Sequence, residues 1–598
     1  MIDSRSAAHI LSEIADLLEL RAENQFKTRA YRAAAKAVLA LDTDDLAPQL
    51  RSGQLARVRG VGSSTLGVIA DLIENGESSY LEQLRLNSPE GLLELMRVSG
   101  LPPAKVQAVH DTLGIASIDA LEAAAADGRL AKVKGFGDKT VDRLLDSIAF
   151  KRRTHALMLV PRAHAEAALL LAAVRRHPDV IAAEVAGSVR RRCDTVRDID
   201  IVAAVRGDPS TVAASFARVS GVADASVTGG VASIHYVDGT MLDLYCVAED
   251  EFAVAFWRAT GSAEHVAQLT DVLAAQGFTL ESNSLRDARG ARVPVPNEQA
   301  LYALVHLTRV PPELREGEGE LTAATAPFPR LVTATDVRGV LHCHSTYSDG
   351  TATIAEMAEG ARARGWSYIG ITDHSQAAFY AGGLKPDDIA RQHAEIDALN
   401  ASLTNFIILK GIEADILSTG RLDFDDATLD RFDFVIGSVH SRLRMTESEM
   451  TTRLLTALDD PRLTILGHPT GRRLLMREPY PVDMAAVIQK AAEVGAAMEL
   501  NADPRRLDLE WRYCRRAKAL GVPIEIGPDA HSIAGLDTVA IGVEMARKGW
   551  LEAHDILNAR SATDIVAFAR ARRTRTIDTH APRTTPASHH ESDADLPF

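Results

Sequence analysis

Cysteine is scarce, aromatics are few and no apolar run is long. The 598 residues hold four cysteines, Cys193, Cys246, Cys343 and Cys514, with no CxxC and no paired spacing. That excludes a disulfide scaffold and points to a reducing compartment, the cytoplasm. No apolar stretch reaches the length that spans a bilayer, and none follows Met1, so neither membrane anchor nor secretory leader is expected. Net positive charge is missing too. The formal charge is −15, which taken alone argues against a polyanion binder. Local charge tells otherwise: Arg21, Lys27, Arg29, Arg32 and Lys36 cluster early, and Arg129, Lys132, Lys134, Lys139, Arg143, Lys151, Arg152 and Arg153 cluster again. Such patches hold phosphates even on an acidic chain.

The chain is too long for one core, so several domains are expected. The stretch Leu341-His342-Cys343-His344-Ser345-Thr346-Tyr347-Ser348-Asp349-Gly350 is the richest in chemistry. Two histidines at i and i+2 face one side of an extended strand. Asp373-His374, Glu413, His440, His468 and Asp529-Ala530-His531 follow, most of them after short apolar runs such as Phe434-Val435-Ile436. Helical stretches, Ile354 to Arg364 and Met484 to Val494, lie between. Strands alternating with helices, with polar residues at the strand exits, predict a β/α barrel with its site at one rim. Imidazoles mixed with carboxylates suit Zn²⁺, Mn²⁺ or Fe²⁺. The supply exceeds one tetrahedral ion's needs, so a metal cluster for phosphate-ester hydrolysis is expected.

Upstream, one pattern comes three times: Leu55 to Thr65, Leu95 to Lys105 and Leu130 to Thr140. Each runs apolar-x-x-apolar, then a glycine turn, then a helix start. Gly60 and Gly62, and again Gly135 and Gly137, let backbone N–H groups at a helix N-terminus meet phosphate without reading bases. The middle copy has Pro102 where the second glycine would stand. From about His155 strands and helices alternate. Gly187-Ser188-Val189-Arg190-Arg191 precedes Asp198-Ile199-Asp200, and Asp243 lies in another strand-like run. Three aspartates on one sheet suit two Mg²⁺ ions for nucleotidyl transfer, with the Gly187-Ser188 turn and its arginines holding a triphosphate.

Taken together, residues 1 to about 320 resemble a family X DNA polymerase, and residues 336 to 576 resemble a PHP (polymerase and histidinol phosphatase) domain. Their order resembles the bacterial and archaeal family X polymerases. The resemblance implies a multidomain fold: an α-helical helix-hairpin-helix N-terminal region, an α/β nucleotidyltransferase palm and a C-terminal (β/α) barrel of PHP type. The expected bounds are 1–80 and 81–154 for two helix-hairpin-helix modules, 155–248 for the palm, 249–317 for a thumb, 318–335 for a linker permitting large swings, 336–576 for the barrel and 577–598 for a disordered tail carrying His589-His590.

The resemblance also implies roles. Asp198, Asp200 and Asp243 would be the catalytic aspartates. Gly187, Ser188, Arg191 and Gly261 would bind nucleotide. His342, His344, Glu413 and Asp529 would hold one barrel metal, Glu413 with His440 and His468 a second, and Asp349 with His374 and His531 a third. The implied activity is DNA repair, including base excision repair, by a 3′–5′ exonuclease and a DNA polymerase acting as a cytoplasmic monomer on gapped or nicked DNA with deoxynucleoside triphosphates. Several residues depart from the family pattern. Arg258-Ala259 replaces an aromatic pair before Thr260-Gly261-Ser262, Val266 replaces a base-contacting asparagine, and Met241 an arginine. Val68 stands at the lyase lysine's place, and an apolar side chain forms no imine. Weak polymerisation and no lyase chemistry are expected. The competing expectations are a PHP small-molecule phosphoesterase and a DNA-binding scaffold with a degenerate polymerase.

Overall fold

The computed structural model describes residues 4–21, 25–39, 41, 46–75, 78–86, 91–92, 95–96, 101–219 and 221–574. Two compact units divide the chain, Met1–His155 and Ala156–Phe598. The tail expectation for 577–598, with its histidine pair, falls outside the described residues.

The first unit is helical. Helices α1 (Ser4–Leu20) and α2 (Gln25–Leu39) pack through Leu11, Ile14, Leu18, Ala34 and Val38, all buried, as the helical spacing of apolar residues predicts. Val68, on α3 (Ser63–Asn75), is buried in the same core. Both outer repeats make one turn. A short 3₁₀ turn, Leu55–Arg57 or Leu130–Lys132, leads to a glycine with positive φ, Gly60 at +104° and Gly135 at +91°. A helix then starts just after the second glycine, α3 after Gly62 and α4 (Asp138–Thr154) after Gly137. Glycine is needed because L side chains rarely take that φ. The middle copy's turn, 97–100, lies outside the described residues.

The second unit includes a five-stranded sheet: β1 (Val180–Val185), β2 (Ile199–Val205), β3 (Val222–Thr228), β4 (Val231–Tyr236) and β5 (Met241–Ala248), in the order β1-β2-β5-β4-β3. Only β2 and β5 run parallel, and this central pair sets Asp200 directly opposite Asp243. Helices α5 (Phe252–Thr260) and α6 (Ala263–Ala275) follow, with a core of Trp257, Leu269, Leu301 and Tyr302.

Seven parallel strands follow in sequential order: β6 (Gly339–Val340), β7 (Tyr368–Ile371), β8 (Ile407–Asp415), β9 (Phe434–Ser438), β10 (Ile465–Leu466), β11 (Ala497–Asn501) and β12 (Ile524–Gly527). They read as apolar runs because helices cover the outside. Those helices include α7 (Ile354–Ala363), opened by a Thr353/Glu356 capping box, and α8 (Met484–Val494), ended by Gly495 at φ +73°. The ring is nearly closed. Just beyond β6 and β12, Cys343 bridges Ala530, and the His344 N–H donates to Ala530 O at 2.9 Å. The Asn558 amide stitches the remaining opening, donating to Gly339 O (3.1 Å) and Ile526 O (3.0 Å).

The stretch 318–335 packs rather than dangling. Glu320 is fully buried and its carboxylate meets His265 Nδ1 at 2.6 Å, while Val332 joins the barrel core. The segment expected to permit large swings includes a short helix, Glu320–Ala323, and is pinned by side chains distant in sequence.

Candidate functional site

In the palm, the structure brings Asp198, Asp200 and Asp243 together. Burial and the charges of Asp198 and Asp243 push Asp200 up to about 7, and burial and Asp243 raise Asp198. Carboxylates this crowded in a half-buried site favour binding cations through hard oxygens. The Gly187 turn leans on them: a Cβ there would sit 1.7 Å from Asp200 Oδ2, and φ is +59°. Only glycine lets the turn approach so closely. Ser188 Oγ is buried without a hydrogen-bond partner, so it has capacity for a phosphate oxygen. Arg191 donates to Thr260 O at 2.8 Å and pairs with Glu316 at 3.1 Å. Gly261 sits in the next turn, where a Cβ would come within 3.0 Å of both His265 and Val266. Arg258 turns away, donating to Ser282 O at 2.8 Å, and Val266 packs into the neighbouring apolar core.

In the barrel, His342, His344, Asp349, His374, Glu413, His440, His468, Asp529 and His531 all arrive at the strands' C-terminal rim. Glu413 is the hub. Its carboxylate lies 3.5 Å from His342 Nε2, 2.9 Å from His374 Nδ1, 3.2 Å from His440 Nε2 and 3.0 Å from His468 Nε2. His344 Nε2 is 3.3 Å from Asp529 Oδ1, and His531 Nε2 is 3.3 Å from Asp349 Oδ1. Donor atoms close enough to share an ion group as His344/Asp349/His374/His531, as His342/His344/Asp529 and as His374/Glu413/His440. The geometry therefore makes His344 and His374 common to two groups, a sharing that the sequence pattern did not reveal.

The donor set fits divalent cations. His342 Nε2, both ring nitrogens of His344 and Glu413 Oε2 are buried without a hydrogen bond, which leaves lone pairs for coordination. Electrostatics agree. Burial would raise Glu413, but His440, His342 and His374 outweigh it and hold the carboxyl well below its usual range. Burial and His374 push His344 down to about 4, so its imidazole is neutral. Burial is likewise overcome at His440, raised to about 10 by Glu413 and Asp415. Cations entering such a site displace imidazolium protons.

Sequence reasoning missed the residues that orient this cluster. Glu499 accepts from His342 Nδ1 at 2.6 Å and Asp415 meets His440 Nδ1 at 2.8 Å, fixing which ring nitrogen faces the cluster. Arg506 Nε reaches Asp529 Oδ2 at 3.4 Å. A signal existed: Asp415 is two residues from Glu413 on one strand face, and Glu499 interrupts an apolar run. Asp373, by contrast, anchors the loop, accepting from the Ser345 N–H (2.7 Å), Ser345 Oγ (2.6 Å), Ser348 Oγ (2.5 Å) and Gln392 (2.7 Å). Backbone strain is stored here too, with His468 at φ +24° and Asp529 at +49°.

Fold and geometry define a class: a nucleotidyltransferase-type palm and thumb built into one unit with a histidine-rich parallel barrel. Comparison with known proteins carries this further. Family models match for a helix-hairpin-helix domain (residues 4–78), a SAM-like helix-hairpin-helix tandem (92–149), a DNA polymerase beta thumb (255–316) and a PHP domain (341–479). A Bacillus subtilis protein named DNA polymerase/3′-5′ exonuclease PolX is 34% identical over 567 residues, covering 94% of this chain and 98% of that one. A probable phosphatase of Syntrophotalea carbinolica is 28% identical over 38% of this chain and 93% of its own length, and one of Caldanaerobacter subterraneus 31% identical over 33% and 77%. The chain belongs to the bacterial family X DNA polymerases that carry a C-terminal PHP domain.

Proposed function

We propose that the barrel is a cation-dependent 3′–5′ exonuclease on DNA and that the palm is a DNA polymerase of low efficiency, the two serving DNA repair, including base excision repair. The observation that carries the nuclease is Glu413 held among four imidazoles at 2.9–3.5 Å. His342, His344, Glu413 and Asp529, then His440 and His468, then Asp349, His374 and His531 would hold Mn²⁺ or Zn²⁺. Bound, such ions supply an activated water and neutralise charge on the phosphoryl oxygens. The chain's own residues orient that arrangement: Glu499 fixes His342, Asp415 fixes His440, and Arg506 steadies Asp529. In the overall reaction water adds to phosphorus, the bond to the preceding nucleotide's O3′ breaks with a proton returning to that oxygen, and a nucleoside 5′-monophosphate leaves.

In the palm, Asp198, Asp200 and Asp243 would hold Mg²⁺ while Ser188, Arg191 and the Gly187 and Gly261 turns hold the triphosphate. Low efficiency follows from the pocket's lost aromatics. Arg258 is tied to Ser282 and Ala259 offers no ring to a sugar. Each lost contact costs roughly tenfold. The turns at Gly60, Gly62, Gly135 and Gly137 grip duplex phosphates, on gapped or nicked DNA, by a monomer in the cytoplasm. Among the described residues no helix is long and apolar enough to cross a membrane.

A denaturing-gel time course on a primer–template, with and without nucleotides, in Mg²⁺ and in Mn²⁺, tests both halves. His344→Ala removes shortening of the primer and leaves DNA affinity unchanged; retained cleavage contradicts the site. Robust templated synthesis, abolished by Asp198→Ala, overturns the low-efficiency reading. A small-molecule phosphatase, the competing reading, predicts rapid turnover of a phosphomonoester and none of the primer.

A further inference from the structure

Around the barrel cluster lies a cavity of about 610 Å³ whose lining includes His374, Glu413, His440, Asp529 and His531. Two features of its wall lie beyond the clustered imidazoles and carboxylates, although Arg506 also reaches Asp529. One is basic: Arg473, Arg477, Arg505 and Arg506 all line it. Arg477 and Arg505 are exposed, and Arg473 Nε is buried without a hydrogen-bond partner. The other is aromatic. Tyr380 lines the cavity and is 64% exposed, while Phe379 beside it is 85% exposed, the most exposed large apolar side chain among the described residues. Their rings lie edge to face at 6.0 Å.

This aromatic pair is positioned rather than loose. Its loop leaves from His374 and returns to it, with the Leu384 N–H donating to His374 O at 2.8 Å. The Ser375 N–H donates to Glu413 O at 2.9 Å, and the Ala377 N–H to Asp423 Oδ2 at 2.7 Å. Gly383 packs so tightly that a Cβ would lie 1.9 Å from Ser375 O. Two apolar rings held open to water beside a phosphoester site gain nothing from folding. They match a ligand with flat π-faces. A wall of guanidiniums matches successive phosphates, which pair with Arg in bidentate fashion. A small phosphomonoester would use one such contact and no ring.

Building on the exonuclease reading of the barrel, we propose that Phe379 and Tyr380 form a stacking platform for unpaired bases at the 3′ end of a DNA strand whose phosphates run along Arg473, Arg477, Arg505 and Arg506. Stacking accepts every base, so shortening has little sequence preference. Because the rings sit outside the cluster, they govern binding of the strand and leave the chemical step alone.

The test compares the full chain with the double variant Phe379→Ala/Tyr380→Ala, in Mn²⁺, on two single-stranded oligonucleotides. One has an ordinary 3′ end, and the other ends in three abasic residues. On the ordinary end the variant loses about tenfold or more in kcat/KM, mostly through KM. On the abasic end the wild type is already slow and the variant matches it. A second variant, Phe379→Trp/Tyr380→Phe, keeps wild-type rates on the ordinary end. A double alanine variant within twofold of wild type on the ordinary end overturns the platform, and so does an equal fractional loss on both ends. Wild-type protein that shortens neither oligonucleotide overturns the exonuclease reading itself, a separate result.

Discussion

The palm and the barrel gather carboxylates by different devices. In the palm a parallel strand pair sets Asp200 opposite Asp243 with Asp198 close by, and burial and mutual repulsion push Asp200 up to about 7. In the barrel six imidazoles interleave with Asp349, Glu413 and Asp529, and Glu413 and Asp529 are held well below the usual carboxylate range despite their burial. The first site is short of positive charge and offers only hard oxygens; the second carries its own balance and adds nitrogen ligands. One chain thereby carries two candidate cation sites with different donor sets, all-oxygen in the palm and mixed nitrogen and oxygen in the barrel.

Separate loss of each reaction is the largest expected effect. Asp243→Ala lowers primer extension about a thousandfold and leaves shortening within about twofold, and Glu413→Gln does the reverse. A variant that removes both activities on the same gel breaks the comparison. Next in size is the buried carboxylate that binds palm to thumb. Glu298 is held bidentately by Arg190 (2.7 and 2.8 Å) and by Arg315 (2.6 and 3.0 Å). Glu298→Gln costs about 3 kcal/mol in denaturant unfolding, and a loss below 1 kcal/mol contradicts the geometry.

The pH dependence of stability sharpens the contrast. Asp200, raised from the usual aspartate value to about 7, adds stability below pH 4 that is lost as pH rises through 7. Asp200→Asn therefore stabilises cation-free protein at pH 8 by about 2 kcal/mol, while a variant no more stable than wild type removes the argument. Glu298 has the opposite sign. Burial opposes its ionisation, yet Arg190 and Arg315 hold it far below the usual glutamate value. Its stabilisation is present above that usual value and is lost as pH falls.

The smallest effect is at the junction of the two regions. Lys548, buried on a barrel helix, donates to Arg191 O at 3.1 Å and pairs with Glu316, which also pairs with Arg191. Lys548→Met raises the nucleotide KM several-fold, on the order of 1 kcal/mol, without altering shortening. An unchanged KM in steady-state incorporation kinetics means that the barrel does not help position Arg191.

Most of the barrel site was legible because its residues follow apolar runs that become strands. Phe434-Val435-Ile436 is the body of β9, and His440 stands two residues past its end. The helical stretches expected between those strands, Ile354 to Arg364 and Met484 to Val494, stand in the structure as Ile354–Ala363 and Met484–Val494. Glu499 and Asp415 were marked in the sequence only as carboxylates inside strand-like runs, and which histidine each orients was not legible, because those histidines lie 157 and 25 residues away. The packing of 318–335 was invisible because Glu320 and Val332 are held by residues remote in sequence. Lys548's reach to Arg191, across 357 residues, belongs to the tertiary fold alone.

The metal content of the purified full chain, read element by element, tests the account most directly. Wild type and Asp243→Ala each retain more than one Mn²⁺ or Zn²⁺ per chain after dialysis, and Glu413→Gln retains fewer. A folded wild type that keeps no divalent ion, or a Glu413→Gln variant that keeps them all, contradicts the claim that the barrel's imidazoles and carboxylates form one cation pocket.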